Sequence, residues 1–237
     1  MTLKTSYLLL YNLVSLLSWT YLTARVLLLL LLLLRITAGG GGGGEKASAS
    51  ALLADVTALQ TAAALEVLHA LLGLVRASPA TTALQVGGRN LVVWTVMRRF
   101  PDLASGAGAG AGDDDWGWGW GWGRRGFVGC LLAWGCSDML RYAFFVVAQL
   151  GSSGGGGRAM GWMRWLRYTA FIPLYPVGFL SEASLVYLAL VEGTGIGPIY
   201  RAYLFVGLLS YVPASYILYT YMFSQRRRAL GQVERTK

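Results

Sequence analysis

Val26-Leu27-Leu28-Leu29-Leu30-Leu31-Leu32-Leu33-Leu34 closes an apolar run that begins at Tyr7 and carries a single charge, Arg25. About 20 apolar residues in helical form cross a hydrocarbon core of ~30 Å. The run from 7 to 34 is longer than that. It reads as a membrane helix that tilts or protrudes, with Arg25 near an interface. It also exceeds the apolar core of a secretory signal, about 7–15 residues, and so reads as an uncleaved first helix.

Working outward, the rest of the chain repeats the pattern. Of its 237 residues, 55% are hydrophobic and 13% are charged. Soluble domains carry about 25% charged residues, and the deficit here lies in long uncharged stretches. The expected fold class is all-α: a polytopic membrane protein, a six-transmembrane-helix bundle forming one domain over 1–237. The spans are expected at about 7–34, 56–75, 79–97, 127–149, 168–192 and 199–223. Low-complexity loops are expected at 39–50, 104–126 and 151–158, and a basic cytosolic tail at 224–237. No glycine run is followed by the Lys-Ser/Thr of a phosphate loop, so these runs read as linkers. Trp116, Trp118, Trp120 and Trp122 alternate with glycine and suit a membrane interface. Cys130 and Cys136 lie in one apolar segment and read as buried thiols.

The net charge of +9 does not point to nucleic acid, because the basic residues flank the spans. With the N-terminus cytosolic, that side holds Lys4, Arg76, Arg158, Arg164, Arg167, Arg226, Arg227, Arg228, Arg235 and Lys237, against Glu234. The opposite side holds Arg35, Lys46, Arg98, Arg99, Arg124 and Arg125, balanced by Glu45, Asp55, Asp102, Asp113, Asp114 and Asp115. The excess of basic residues places both termini in the cytosol.

Against this background the polar residues inside the spans stand out. A carboxylate at mid-membrane costs roughly 2.5 kcal/mol or more, so each is a functional hypothesis. Glu182 follows Tyr175 by seven residues in Tyr175-Pro176-Val177-Gly178-Phe179-Leu180-Ser181-Glu182, and seven residues are nearly two helical turns. A phenol and a carboxyl on one face form a plausible proton-transfer pair. Pro173 and Pro176 disturb the helix ladder beside Tyr175, and Gly178 leaves room for a ligand to approach the backbone. Glu66 and His69, Gln85 and Arg89, and Asp138 and Arg141 each share a helix face by spacing. At compatible depths, they suggest one internal site opening to the cytosol. The competing reading is a set of structural ion pairs, such as Glu66 with Arg89, with His69 as a hydrogen-bonding residue of the bundle.

The chain has one histidine, which excludes di-iron desaturase and histidine-box chemistry, and it has no Cys/His zinc spacing. No dinucleotide fingerprint lies between a strand and a helix. His69-Ala70 followed by Arg76 mimics the His-Cys-x5-Arg signature of tyrosine phosphatases, but Ala70 removes the nucleophilic thiolate.

Several segments together resemble the 3-hydroxyacyl-CoA dehydratase family, once called protein-tyrosine-phosphatase-like. They are Tyr7 through Asn12 with Trp19, Leu65 through Val75, Gln85 through Arg89, Trp134 through Tyr142, Trp165 through Tyr168 and Tyr175 through Glu182. The resemblance implies a multi-pass enzyme of the endoplasmic-reticulum membrane that dehydrates very-long-chain (3R)-3-hydroxyacyl-CoA to trans-2-enoyl-CoA without a cofactor or metal. It assigns catalysis to Tyr175 and Glu182. It also carries over Glu66, Gln85, Arg89, Arg141, Arg167 and Gly178 as substrate-binding or supporting residues. The implied partners are the acyl-CoA substrate, membrane lipid and the other elongation-cycle enzymes: elongase, 3-ketoacyl-CoA reductase and enoyl-CoA reductase. Two departures are visible. Asp138 stands where the family usually has glutamate, and the C-terminal Val233-Glu234-Arg235-Thr236-Lys237 fits a lysine-based retrieval signal poorly. Asp138 is the only support for the alternative, a catalytically silent scaffold of the elongation complex. In the mechanism we expect on chemical grounds, Glu182 removes the C2 proton and Tyr175 protonates the leaving hydroxyl; the reverse assignment is the alternative. Arg158, Arg164 and Arg167 are expected to hold the CoA phosphates. A small-solute transporter would predict inverted repeats, and the first three spans hold no counterpart of Tyr175 and Glu182.

Overall fold

The computed structural model of the protein describes residues 2–36, 44–105, 121–151, 157–193 and 195–234. Among these residues every regular element is a helix: α1 (Leu3–Ile36), α2 (Gly44–Ala62), α3 (Ala64–Leu71), α4 (Pro79–Val92), a π-helical turn (Val93–Met97), α5 (Pro101–Ser105), α6 (Trp122–Gly151), α7 (Gly157–Arg167), α8 (Phe171–Glu192) and α9 (Pro198–Glu234). Five stretches are long and apolar enough to cross a membrane: Leu3–Leu32, Ser48–Leu71, Trp122–Gly151, Met160–Glu192 and Pro198–Leu230. The protein is a multi-pass membrane protein.

The boundaries differ from expectation in four places. The helical stretch expected at 56–75 starts at Gly44 and breaks at Ala63, and its second half stops at Leu71. The stop is local: Gly73 adopts φ +65, and the Leu74 N–H reaches back to the His69 carbonyl at 2.8 Å, as in a glycine-terminated helix end. The stretch at 79–97 is helical but is not among the five, because Thr81, Thr82, Gln85, Arg89 and Asn90 dilute its apolar character. The stretch expected at 168–192 is helical only from Phe171, because a turn at 168–170 separates α8 from the preceding α7. The expected tail is helical to Glu234, since Gln225-Arg226-Arg227-Arg228-Ala229-Leu230 are good helix formers and no glycine or proline separates them from Pro213. The expected loops are correspondingly shorter, with helix from Gly44, to Ser105, from Trp122 and from Gly157. Trp116, Trp118 and Trp120 lie outside the described residues.

The centre of the bundle is α6, which packs most extensively against α8 on one side and α1 on the other. Small residues allow that approach, as in many membrane bundles. A Cβ on Gly129 would sit 2.5 Å from Ser181 Oγ of α8, and one on Gly135 would collide with Thr23 of α1. The core lies along these seams, with Leu22 and Val26 from α1, Phe127 and Leu131 from α6, and Leu185 and Ala189 from α8 essentially closed off. On the far side of α1, α2 is tied in by an Arg25–Asp55 ion pair. The α3–α4 pair stands beside α2, and α9 lies along α8. The free edge of α9 is its long outer face, where Val206, Val212 and Tyr216 are exposed.

Candidate active site

The site begins with how α8 starts. Pro173 falls in the first turn, where a missing N–H removes no helical bond. Pro176 is inside the helix, so the Ile172 carbonyl has no N–H four residues on. The Tyr219 hydroxyl of α9 donates to that carbonyl at 3.3 Å. The same tyrosine ring stacks on Tyr175, with centroids 5.4 Å apart and planes 17° from parallel. Tyr175 in turn donates to the Ser215 carbonyl of α9 at 3.4 Å and stacks on Phe179. Tyr175 is therefore framed by aromatic faces, with its hydroxyl on one long hydrogen bond.

Two turns further along α8, Glu182 receives one donor on each oxygen. The Trp134 indole N–H of α6 donates to Oε1 at 2.7 Å, and the Tyr211 hydroxyl of α9 donates to Oε2 at 3.1 Å. Among the described residues, no cation forms an ion pair with Glu182. The nearest cationic group in the chain of contacts is Arg89, whose guanidinium lies 5.4 Å from the centroid of the Trp134 ring.

From Arg89 the polar contacts continue as charge. Arg89 Nη1 is 2.6 Å from Asp138 Oδ2, and Arg141 Nη2 is 3.0 Å from Asp138 Oδ1. Arg141 also grips Glu66 with both Nη atoms, the Nη2–Oε1 contact being 2.8 Å, and the Tyr142 hydroxyl donates to the same Oε1. One turn of α3 beyond Glu66, His69 Nε2 is hydrogen-bonded to Tyr7 at 2.8 Å, with the Tyr11 ring edge-on to the imidazole. A polar band thus runs across the bundle from α1 and α3, through α4 and α6, to α8 and α9.

Most of the residues singled out from the sequence lie in this band. Glu66, Arg89 and Arg141 are joined through Asp138, but not in the expected pairing: Glu66 binds Arg141, and Arg89 binds Asp138. The shorter side chain of Asp138 still bridges both arginines. Gln85 sits exposed on α4, one turn before Arg89. Gly178 does not leave room for a ligand. It is buried in the α6–α8 seam, where an added Cβ would lie 3.3 Å from Ala133 Cβ. Arg167 turns inward, its guanidinium 4.6 Å from the Phe144 ring centroid and 4.8 Å from that of Phe145. Tyr175 and Glu182 share α8 and both meet α9, and no hydrogen bond joins them.

Sequence reasoning missed Tyr211, Tyr219 and the indole of Trp134. The available signal was the spacing of Tyr211 and Tyr219, eight apart, which matches the reach between Glu182 and Tyr175 on the neighbouring helix.

The comparisons with known proteins bear on what such a band serves. The family described as "Protein tyrosine phosphatase-like protein, PTPLA" matches residues 60–232, a range that contains every polar residue of the band except Tyr7 and Tyr11. The chain is 32% identical to "Very-long-chain (3R)-3-hydroxyacyl-CoA dehydratase PASTICCINO 2" of Arabidopsis thaliana, over 74% of this chain and 75% of the plant protein. It is 28% identical to "Very-long-chain (3R)-3-hydroxyacyl-CoA dehydratase hpo-8" of Caenorhabditis elegans, over 95% of both chains. It is 29% identical to "Very-long-chain (3R)-3-hydroxyacyl-CoA dehydratase 2" of Homo sapiens, over 75% of this chain and 66% of the human protein. No solved structure matches the chain. Spanning that family's pattern from the break between α2 and α3 almost to the end of α9, the chain belongs to the PTPLA family.

Proposed function

We propose that the protein dehydrates very-long-chain (3R)-3-hydroxyacyl-CoA to trans-2-enoyl-CoA in the fatty acid elongation cycle, with Glu182 as base and Tyr175 as acid. The observation that carries the assignment is the Glu182 environment: a carboxylate inside the bundle, held on both oxygens by neutral donors and paired with no cation among the described residues. Such a group is oriented without being neutralised by an ion pair. The relatives' names support the substrate class.

The proton on C2 passes to the Glu182 carboxylate as the C2–C3 double bond forms. The C3–O bond breaks, and the Tyr175 hydroxyl gives its proton to the leaving hydroxyl, which departs as water. Proton return from Glu182 to the phenolate resets the pair. The single 3.4 Å bond from Tyr175 to Ser215 leaves the phenol free to turn toward a substrate hydroxyl. No cofactor or metal enters this scheme. Glu66, Arg89 and Arg141 support the site by holding α3, α4 and α6 in register, and Gly178 does so by letting α8 approach α6. Gln85, exposed on α4 one turn before Arg89, is assigned to substrate contact. Arg167 fixes α7 to α6 rather than gripping phosphate, so the CoA phosphates fall to Arg164 and to Arg226, Arg227 and Arg228 at the same end of the bundle. Arg226 lies within 3.5 Å of Thr169 there.

The same proposal includes six crossings in one domain over 1–237. Pro79–Met97 supplies 19 helical residues, roughly 28 Å at 1.5 Å each, and runs alongside α2 and α3. An even count puts both termini on one face. The positive-inside bias makes that face cytosolic in the endoplasmic-reticulum membrane, where elongase and the two reductases of the cycle are the partners.

The test is a product assay by mass spectrometry on the purified full chain in detergent. Wild type converts 3-hydroxyacyl-CoA to the trans-2-enoyl product, while Glu182→Ala and Tyr175→Phe do not. Near-normal turnover by both folded variants overturns the assignment.

A further inference from the structure

Glu182 is reached from both sides of its helix by side chains that the proposed reaction does not itself use. A glutamate side chain has several rotatable bonds, and a base must point at one C–H bond to act. On α6, Trp134 is 2% exposed and held against Arg89, so its indole N–H is aimed at Glu182 Oε1 at 2.7 Å. Arg89 itself forms its ion pair with Asp138 at 2.6 Å, not with Glu182. On α9, the Tyr211 ring packs on Phe179, centroids 5.6 Å apart, and its hydroxyl meets Oε2 at 3.1 Å. The two donors come from helices on opposite sides of α8, and each takes a different oxygen.

We infer that Trp134 and Tyr211 are positioning residues that fix the orientation of the Glu182 carboxylate for proton abstraction. The inference rests on Glu182 being the base of the dehydration. It gives α9 a second role besides flanking the bundle, because Tyr211 is where that helix touches the reacting group. Neutral donors suit this role. They fix the carboxylate through hydrogen bonds of the charge-assisted kind and leave its remaining lone pairs available. An arginine in either place would orient the group by neutralising it.

The experiment compares wild type, Tyr211→Phe, Trp134→Phe and the double variant, each as purified full chain in detergent, by steady-state kinetics on a 3-hydroxyacyl-CoA and by thermal unfolding. A hydrogen bond to a charged group contributes about 1.5–3 kcal/mol, which corresponds to roughly 10–100-fold in rate. Tyr211→Phe keeps the ring and removes only the hydroxyl, so kcat falls about tenfold while KM stays within twofold and the unfolding midpoint is unchanged. Trp134→Phe, which loses the shorter bond, falls further. The double variant falls by less than the product of the two, because both donors act on one carboxylate. If Trp134→Phe is not recovered folded, Trp134→His, which retains a ring N–H, replaces it and keeps part of the rate. An unchanged kcat in Tyr211→Phe overturns the inference. So does a loss matched by a rise in KM and a lower midpoint, or a double variant equal to the full product. A wild type that makes no enoyl product overturns the dehydratase reading instead.

Discussion

Two carboxylates inside the bundle are treated in opposite ways by their neighbours. Glu66 is gripped by both Nη atoms of Arg141, whose guanidinium also meets Asp138, and Asp138 passes the contact on to Arg89. Glu182 meets an indole N–H and a phenol, with no cation paired to it among the described residues. Both acids had to be removed from water, and a desolvated charge is tolerated only when something compensates it. Ion pairs compensate Glu66 and at the same time occupy it. Hydrogen bonds compensate Glu182 less completely, which suits the proton acceptor proposed for this position. On the proposed mechanism, the difference separates a charge that holds helices together from one that is kept ready to react.

The contrast is broken most directly at Glu182. Glu182→Ala is expected to lower kcat by about 10³-fold or more while the unfolding midpoint stays near wild type, read by product mass spectrometry and by thermal unfolding in detergent. Glu66→Ala should do the reverse to stability. Removing one partner of a buried ion pair costs about 3–5 kcal/mol, so its midpoint drops sharply, and Arg141→Met should behave the same way. A stable Glu66→Ala protein, or an unstable Glu182→Ala one, would erase the distinction. The next effect is smaller: Tyr175→Phe removes the proposed acid but keeps the stacked ring, and kcat should fall about 10²-fold with little change in KM. If KM rises instead, Tyr175 binds substrate rather than protonating it.

Much of this was legible in the residues. A glutamate in the midst of Tyr175 through Leu185 marks itself by the cost of placing it there, and the leucine run at 27–34 marks the membrane. Spacing along one helix also placed Glu66 with His69 on one face. What it cannot supply is register between helices. Arg89 had two acids within plausible reach, and it is the packing of α4 against its neighbours that presents it to Asp138 and leaves Glu66 to Arg141. Tyr211 and Tyr219 were missed for another reason. Aromatic residues are ordinary in membrane helices, so nothing in α9 alone separates a tyrosine that meets a carboxylate from one that meets lipid. The break at Ala63 was hidden because no proline or glycine marks it, and the helix start at Gly44 because the polar Glu45-Lys46-Ala47-Ser48 reads as a continuation of the glycine run.

The smallest expected effect probes how α9 is held beside α8. Pro176 offers no N–H to the Ile172 carbonyl, and the Tyr219 hydroxyl fills that vacancy from α9 at 3.3 Å. Intramembrane hydrogen bonds of this kind contribute about 0.6 kcal/mol on average, and leaving a buried carbonyl unpaired adds to the loss. Tyr219→Phe should therefore cost about 1 kcal/mol, read as a modest fall in unfolding midpoint, with KM and kcat little changed. Pro176→Ala supplies the missing N–H from within α8, so in that background the same Tyr219→Phe change should cost close to nothing. No cost in either background would mean that Tyr219 acts through ring stacking on Tyr175, which phenylalanine keeps, rather than through the carbonyl. The neutral side of the comparison would then depend on aromatic packing, with the hydrogen bond to Ile172 incidental to it.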